Sequence, residues 1–261
     1  MTSQEHAQVL ITGGSVGIGL GLAQRYLAAG ARVLVTGREE ARLRAAAASH
    51  PGLLTHVSDM GSPSAREALA RDAQNLLPNL SVVINNAGIQ RRVSLAMDTA
   101  SWAERQTEID ILLAGPVHLN SLLVPVMVNS GRTGMVVNVT SGGANIPQPF
   151  APVYSACKAA LHSYTVTLRH ALCDTRIAVK ELIPPAVATK LAGTGATHGV
   201  PLDEFCDAVF TALVESDELE IGFGMTATDA FAAHRDIQRE MFKGFAARFP
   251  VKTYAGAAKR V

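Results

Sequence analysis

Short runs of aliphatic and β-branched residues recur along this chain: VLIT at 9 to 12, VLVT at 33 to 36, SVVIN at 81 to 85, MVVNVT at 135 to 140 and AVKELI at 178 to 183. The runs are nearly continuous in apolar residues instead of alternating with polar ones, as a strand requires when both of its faces are covered. Longer stretches of helical period lie between them, at about 18 to 29, 39 to 48, 63 to 76, 101 to 129 and 152 to 173. Strand followed by helix, repeated, predicts an α/β fold: a doubly wound parallel sheet in three layers, α/β/α. Right-handed crossovers then bring the loops after the strands to one edge, where ligands of such folds bind. At 261 residues the whole chain, 1 to 261, is expected to form one domain.

Charge and composition exclude several classes of function. With 48% apolar residues, 17% charged residues and a net charge of +1, the chain lacks the basic bias of a nucleic-acid binder, and the pair Arg91 and Arg92 does not supply it. That pair is read as solvated. The N-terminus carries no basic segment leading into a long apolar one, and the most apolar helical candidate, 111 to 128, is interrupted by Gly115, Pro116, His118, Asn120 and Pro125. No membrane span and a cytoplasmic location are expected. Cys157, Cys173 and Cys206 are odd in number, widely spaced and outside any metal-ligand pattern, so they read as reduced thiols with no metal site.

The first strand runs directly into Gly13, Gly14, Ser15, Val16, Gly17, Ile18 and Gly19, and then into an apolar helix. Glycines there let the chain turn tightly and let a pyrophosphate approach the backbone, while the helix start offers unpaired N–H groups. A dinucleotide-binding Rossmann arrangement is therefore expected, although the spacing is Gly-x-x-x-Gly-x-Gly and not the commoner Gly-x-Gly-x-x-Gly. The second strand ends on Thr36, Gly37 and Arg38. A carboxylate in this place would grip the ribose hydroxyl of NAD; glycine followed by a guanidinium favours the phosphate of NADP(H). The competing reading makes Arg38 a solvated helix-start residue that pairs with Glu39 or Glu40.

Tyr154 and Lys158 are four apart in a helical stretch, so a phenol and an ammonium share one face. Together with TGGSVGIG at 12 to 19, NNAG at 85 to 88, Ser141 and PPAVAT at 184 to 189, they stand in the order and spacing of the short-chain dehydrogenase/reductase family, which this chain resembles over about residues 7 to 190. Within the family, NNAGIQR, VYSACKAALHSYTVTLRHAL and ELIPPAVATKL resemble the DltE-like oxidoreductases. The resemblance implies that Ser141, Tyr154 and Lys158 are the catalytic trio, with Tyr154 and Lys158 also touching the cofactor. It places Asp59 at the adenine, Asn86, Ala87 and Gly88 along the adenosine side and the central sheet, and Val187 and Thr189 at the nicotinamide carboxamide. The family's Pro-Gly turn is Pro184-Pro185 here.

Carbonyl reduction needs a hydride on carbon and a proton on oxygen, and a nicotinamide supplies only the first. A phenol with a cation close by is expected to supply the second, with Ser141 orienting the oxygen. One position departs from the family: its fourth catalytic residue, an asparagine that holds a relay water, falls on Leu112. Asp110 nearby is one possible substitute; His118 and His162 read as packed or solvated residues. Either the protein is an NADP(H)-dependent oxidoreductase of a small-molecule carbonyl, alcohol or imine, or it is a dinucleotide-binding sensor, scaffold or non-redox catalyst. A candidate substrate lid covers 190 to 205 and a C-terminal tail 226 to 261. The helices 101 to 129 and 152 to 173 are richer in apolar and small residues than one sheet face needs, so pairing through them into a homodimer or homotetramer is expected.

Overall fold

In the computed structural model, which describes residues 4 to 189, 191 and 199 to 254, each apolar run becomes a strand. They are β1 (Gln8–Ile11), β2 (Arg32–Gly37), β4 (Val82–Asn85), β5 (Gly134–Val139) and β6 (Ile177–Ile183). Two strands that the apolar pattern did not announce complete the sheet: β3 (Leu54–Val57) at one edge and β7 (Glu220–Gly222) at the other. All neighbours pair parallel in the order β3-β2-β1-β4-β5-β6-β7. The doubly wound sheet of the Rossmann type is thus present, with its switch in direction between β1 and β4.

Helices cover both faces: α1 (Gly17–Ala28), α2 (Glu40–Ser49), α3 (Pro63–Leu76), α4 (Trp102–Ile109), α5 (Gly115–Asn129), α6 (Pro152–Ala171), α7 (Leu202–Glu215) and α8 (Asp229–Arg248). The strands alternate their side chains between two apolar layers. Val9, Ile11, Val33 and Val35 meet Leu22, Tyr26, Phe205 and Val209 on one side. Leu10, Leu34, Val83 and Val136 meet Leu69, Leu119, Leu123 and Leu168 on the other. Local signals start the helices. Ser62 accepts from the Ala65 N–H ahead of Pro63, and Ser101 with Glu104 forms a reciprocal capping box on α4.

The stretch predicted as one helix over 101 to 129 is α4, a π-helical turn over Asp110–Ala114, and α5. Gly115 and Pro116 do not break it. The π turn delivers Pro116 into the first turn of α5, where a missing N–H is tolerated, and Pro125 sits inside the helix. The run Trp102–Asn129 contains an 18-residue window with a mean hydropathy of 1.8 and is long enough to cross a membrane, so the expected interruptions do not set it apart. Its burial does: half of that apolar window is enclosed by the protein, and Leu119, Leu123, Val124 and Met127 pack into the layer beneath the sheet.

Of the candidate lid, 190 and 192 to 198 lie outside the described residues. Val200 bridges to Val187, and 202 to 205 are the first turn of α7, not loop. The tail 226 to 261 supplies α8, which lies on α6: the Phe242 ring meets His170 edge-on at 5.7 Å, and Gln238 hydrogen-bonds His162. Part of the face expected to pair with another subunit is therefore occupied by the chain itself. Arg169 and Arg239 clasp Glu220 at 3.2 and 2.8 Å, tying α6 and α8 to β7, and those cations hold the Glu220 carboxyl below its ordinary range against the opposing effect of burial.

One buried polar group in the core has no role. Tyr26 is fully buried with its ring edge-on to Phe210 at 5.0 Å, and its hydroxyl has no hydrogen-bond partner. Burial raises this phenol far above its ordinary range. Tyr26→Phe removes the unsatisfied group and keeps the ring, so it should stabilise the fold by about 1 kcal/mol, read as a higher urea midpoint at unchanged slope. A loss of similar size would mean that the hydroxyl is bonded.

Candidate active site

The loops after the strands converge on one edge of the sheet and enclose a cleft of about 720 Å³ over the switch between β1 and β4. That size suits a cofactor. Of the expected cofactor residues, Gly13, Ser15, Gly17 and Ile18 line it from the glycine loop, Thr36 and Arg38 from the end of β2, and Asp59 from the loop after β3. Asn86, Ala87, Gly88 and Thr189 complete the lining among them. Four expected residues stand outside: Tyr154 and Lys158, which belong to the trio described below, and Gly19 and Val187. Gly19 is buried inside α1, where a methyl group would lie 2.5 Å from the Asn86 Nδ2 and the Gly13 carbonyl. Val187 is 4% exposed and packs in the core, so its side chain supports the wall and does not face the cleft.

The glycine loop fits an anionic group. Gly17 sits at φ +59, a conformation that only glycine adopts freely, and a side chain there would meet nothing closer than Thr189 at 3.5 Å. Bare backbone thus faces the cleft. The N–H groups of the first turn of α1 have no intrahelical acceptor, and the helix dipole points its positive end the same way.

At the β2 end Arg38 is exposed, and the acids beside it are paired elsewhere. Glu39 pairs with Arg42 at 2.8 Å and Glu40 with Arg44 at 2.9 Å, so neither acid is spent on Arg38, which forms no ion pair among the described residues. Arg42 also lines the cleft, a residue the sequence reading missed; its place one turn into α2 was the available signal.

The trio is brought together where β5 meets α6. Ser141 follows β5, and Tyr154 and Lys158 occupy the first two turns of α6; they are 8, 6 and 4% exposed. Ser141 Oγ accepts the Gly143 N–H at 3.1 Å, which fixes its rotamer, and its hydroxyl is near enough to the Tyr154 phenol to favour the ionised form. Lys158 Nζ lies 5.7 Å from the centre of the Tyr154 ring and donates to the Val139 carbonyl at 2.6 Å. A narrow cleft lined by Lys158, Leu112 and Asn85 lies next to the large one, with Met60, Ala87 and Ile111 lining both.

The electrostatics differ from the expectation that the ammonium draws the phenol down. Burial is the dominant influence on both groups. It raises Tyr154, opposed by the Ser141 hydrogen bond and reinforced by Glu108, and it pushes Lys158 down to about 8. In this form of the protein the phenol keeps its proton.

Leu112 fills the place of the family's asparagine. It is 1% exposed and packs with Ala151, Tyr154 and Cys157. Asp110 does not replace it: its carboxylate accepts from Gln106 on its own helix at 2.9 Å. His118 accepts from Arg66, and His162 is held 2.8 Å from Glu181, which raises its affinity for a proton. Arg91 is not a solvated residue, since it pairs with the buried Asp98 at 2.7 Å, whereas Arg92 is exposed and lies over the Phe150 ring at 4.8 Å. Glu108 was not anticipated. It is 1% exposed, accepts the Arg91 backbone N–H at 3.1 Å and is pushed up by burial. An acid inside an amphipathic helix carries no local sign that its face is covered.

Comparison with known proteins adds to this geometry. The family model for short chain dehydrogenases matches residues 7 to 198. The chain is 45% identical over 183 residues to the uncharacterized oxidoreductase DltE of Bacillus subtilis, covering 70% of this chain and 72% of that one. It is 28% identical over 249 residues to sulfoacetaldehyde reductase 2 of Chromohalobacter salexigens, covering 87 and 98% of the two. Among solved structures, a short-chain dehydrogenase from Sphingobium yanoikuyae in complex with NADPH superposes with a TM-score of 0.81 at 24% identity, over 95% of this chain and 97% of that one. One from Burkholderia phymatum in complex with NAD gives 0.79 at 20% identity over 92 and 97%. With a family model matching residues 7 to 198 and a relative 45% identical over most of both chains, the chain belongs to the short-chain dehydrogenase/reductase family of hydride-transferring oxidoreductases.

Proposed function

We propose that the protein is an NADP(H)-dependent reductase or dehydrogenase of a small-molecule carbonyl or alcohol, with an imine also within its chemistry, and that Tyr154 is its general acid and base. The observation that carries this reading is the convergence of Ser141, Tyr154 and Lys158 in one buried cluster where β5 meets α6, at the same edge of the sheet as the cleft. When bound, the nicotinamide supplies the hydride. Tyr154 donates its phenolic proton to the substrate oxygen in reduction and takes it back in oxidation. Ser141, beside the phenol, holds the oxygen and stabilises charge that develops on it. The Lys158 ammonium replaces the proton that Tyr154 gives up.

Support for NADP(H) comes from Arg38, whose guanidinium at the cleft has no competing acid. Relatives of the same fold were solved with either form of the cofactor, so the preference rests on this residue. Two sulfoacetaldehyde reductases are among the relatives, which makes small aldehydes the first compounds to try. A cytoplasmic homodimer or homotetramer, paired through α4, α5 and the uncovered part of α6, belongs to the same reading. The second reading, a dinucleotide-binding protein with little redox activity, is favoured by Leu112 alone, which leaves no amide to hold a relay water.

Three measurements test the first reading. NADPH consumption over a panel of aldehydes and ketones that includes sulfoacetaldehyde should reveal turnover, and Tyr154→Phe should lower kcat by about 10²–10⁴ while NADPH binding persists. Wild-type rates in that variant would remove Tyr154 from the chemistry. Arg38→Ala should raise the KM for NADPH by roughly tenfold or more, the worth of a lost charge-assisted hydrogen bond, and leave that for NADH unchanged. The rate of reduction should fall as pH rises through about 8, where the buried Lys158 loses its proton; a flat profile to pH 10 would show that this ammonium is not needed.

A further inference from the structure

Beneath the trio runs a ladder of buried polar side chains that no step above uses. Asn85 at the end of β4, Asn120 on α5 and Asn138 on β5 are 4, 1 and 0% exposed. Asn85 Nδ2 donates to Asn120 Oδ1 and to Asn138 Oδ1, both at 2.9 Å. Asn138 Nδ2 donates in turn to Thr165 Oγ1 at 2.9 Å, and the Thr165 hydroxyl donates to the Leu161 carbonyl one helical turn back at 2.7 Å.

That last bond fixes the orientation of all the others. A hydroxyl has one proton, and Thr165 gives it to Leu161, so its oxygen can only accept from Asn138. Asn138 must therefore turn its amide nitrogen to Thr165 and its oxygen to Asn85. Asn85 must answer with its nitrogen. The side-chain oxygen of Asn85 is left pointing away from the ladder, buried and without a hydrogen-bond partner. An acceptor in that condition is costly to keep.

Asn85 lines the narrow cleft that also holds Lys158, Thr12, Leu112 and Pro116. The cleft is narrow, which favours a donor from its own wall over a water molecule. Lys158 is the one wall residue with N–H groups to spare: an ammonium has three, and the Val139 carbonyl takes one. The other titratable groups facing the amine are engaged elsewhere or are weak partners. Glu181, from β6, is bonded to Thr140 at 2.6 Å and to His162 at 2.8 Å, and Cys157 presents a thiol that burial keeps protonated. The Tyr154 phenol is influenced by the Ser141 hydroxyl, and Glu108, on α4, is engaged with the Arg91 backbone N–H.

We propose that the Asn85 side-chain oxygen is a second acceptor for the Lys158 ammonium, reached by rotation about the outer bonds of the lysine, and that it does for this enzyme what Leu112 cannot: it holds the amine charged beside Tyr154. The inference rests on the function proposed above. In reduction the phenolic proton passes to the substrate oxygen as the hydride arrives on carbon. The resulting phenolate takes a proton from the Lys158 ammonium. The neutral amine then takes one from solvent at the large cleft, leaving hydroxide to the bulk. Asn85 exchanges no proton in this sequence; it is a positioning residue, and its orientation is inherited from Thr165.

The test is a titration of Lys158 that needs no substrate. The chain has six lysines, so lysine labelled with ¹⁵N at Nζ gives a spectrum in which the Lys158 signal is identified by its loss in Lys158→Met. Wild type, Asn85→Leu and Thr165→Val are titrated with and without NADP+. Lys158 is expected to titrate near pH 8 in the wild type and about one unit lower in Asn85→Leu, where the ammonium loses an acceptor. A smaller drop in the same direction is expected in Thr165→Val, because Asn138 and then Asn85 are free to turn over. An unchanged midpoint in the folded variants overturns the proposal, and if Asn85→Leu does not fold, Thr165→Val decides. The titration stands apart from turnover: shifted midpoints combined with full activity of Tyr154→Phe would sink the proposed function and leave the Asn85–Lys158 contact in place.

Discussion

The structure depends on a clamp between two strands that lie side by side but send their chains to opposite edges of the sheet. β1 crosses over through α1 to β2, while β4 crosses the other way through α4 and α5 to β5. A crevice opens wherever a parallel sheet does this. Something must close its floor. Here Asn86 Nδ2 donates to the carbonyls of Thr12 and Gly13, both at 3.0 Å, and Thr12 Oγ1 accepts the backbone N–H groups of Asn86 and Ala87. The contact is close enough that a methyl on Gly13 would stand 2.7 Å from the Ala87 Cα. Glycine at 13 thus serves the seam of the sheet, and glycine at 17 leaves backbone open to the cleft.

Burial sets the character of the trio. The same loss of solvent that makes the phenolate expensive makes the ammonium expensive, so Tyr154 moves up, Lys158 moves down and the uncharged pair is favoured over the ion pair. Proton transfer between them is then controlled by whatever stabilises either charge: the Ser141 hydroxyl on one side, and the Val139 and Asn85 oxygens on the other. A leucine at 112 makes that second side drier.

How much of this could be read beforehand follows from the range of each interaction. The five central strands announced themselves because coverage on both faces demands unbroken apolar runs. Edge strand β3, with the sequence LTHV, is only partly covered and mixes polar with apolar residues, and β7 is three residues long; neither leaves a run to detect. In the site, the glycine loop, Arg38 and the Tyr154–Lys158 spacing are local patterns and were legible. The exclusion of Val187 from the cleft, the Arg91–Asp98 pair and the burial of Glu108 depend on which loop folds over which helix. The asparagine ladder joins residues 35 and 53 positions apart, a distance over which a single sequence shows no register.

The wide turn at Asp110–Ala114 has a mechanical consequence for the mouth of the site. Each residue in a helix advances the side chains by about 100°, and a π turn holds one more residue than its α counterpart. The phase of α4 is thereby set independently of α5, whose apolar face is committed to α3 and the sheet. Arg105 and Glu108 are turned toward the segment 91 to 98, which they grip through the Asp98 carboxylate and the Arg91 backbone. Deleting one residue from that turn would swing both by roughly a third of a revolution and release the segment from its moorings. The segment 91 to 98 is aimed by a gear in the helix behind it, and not by its own sequence.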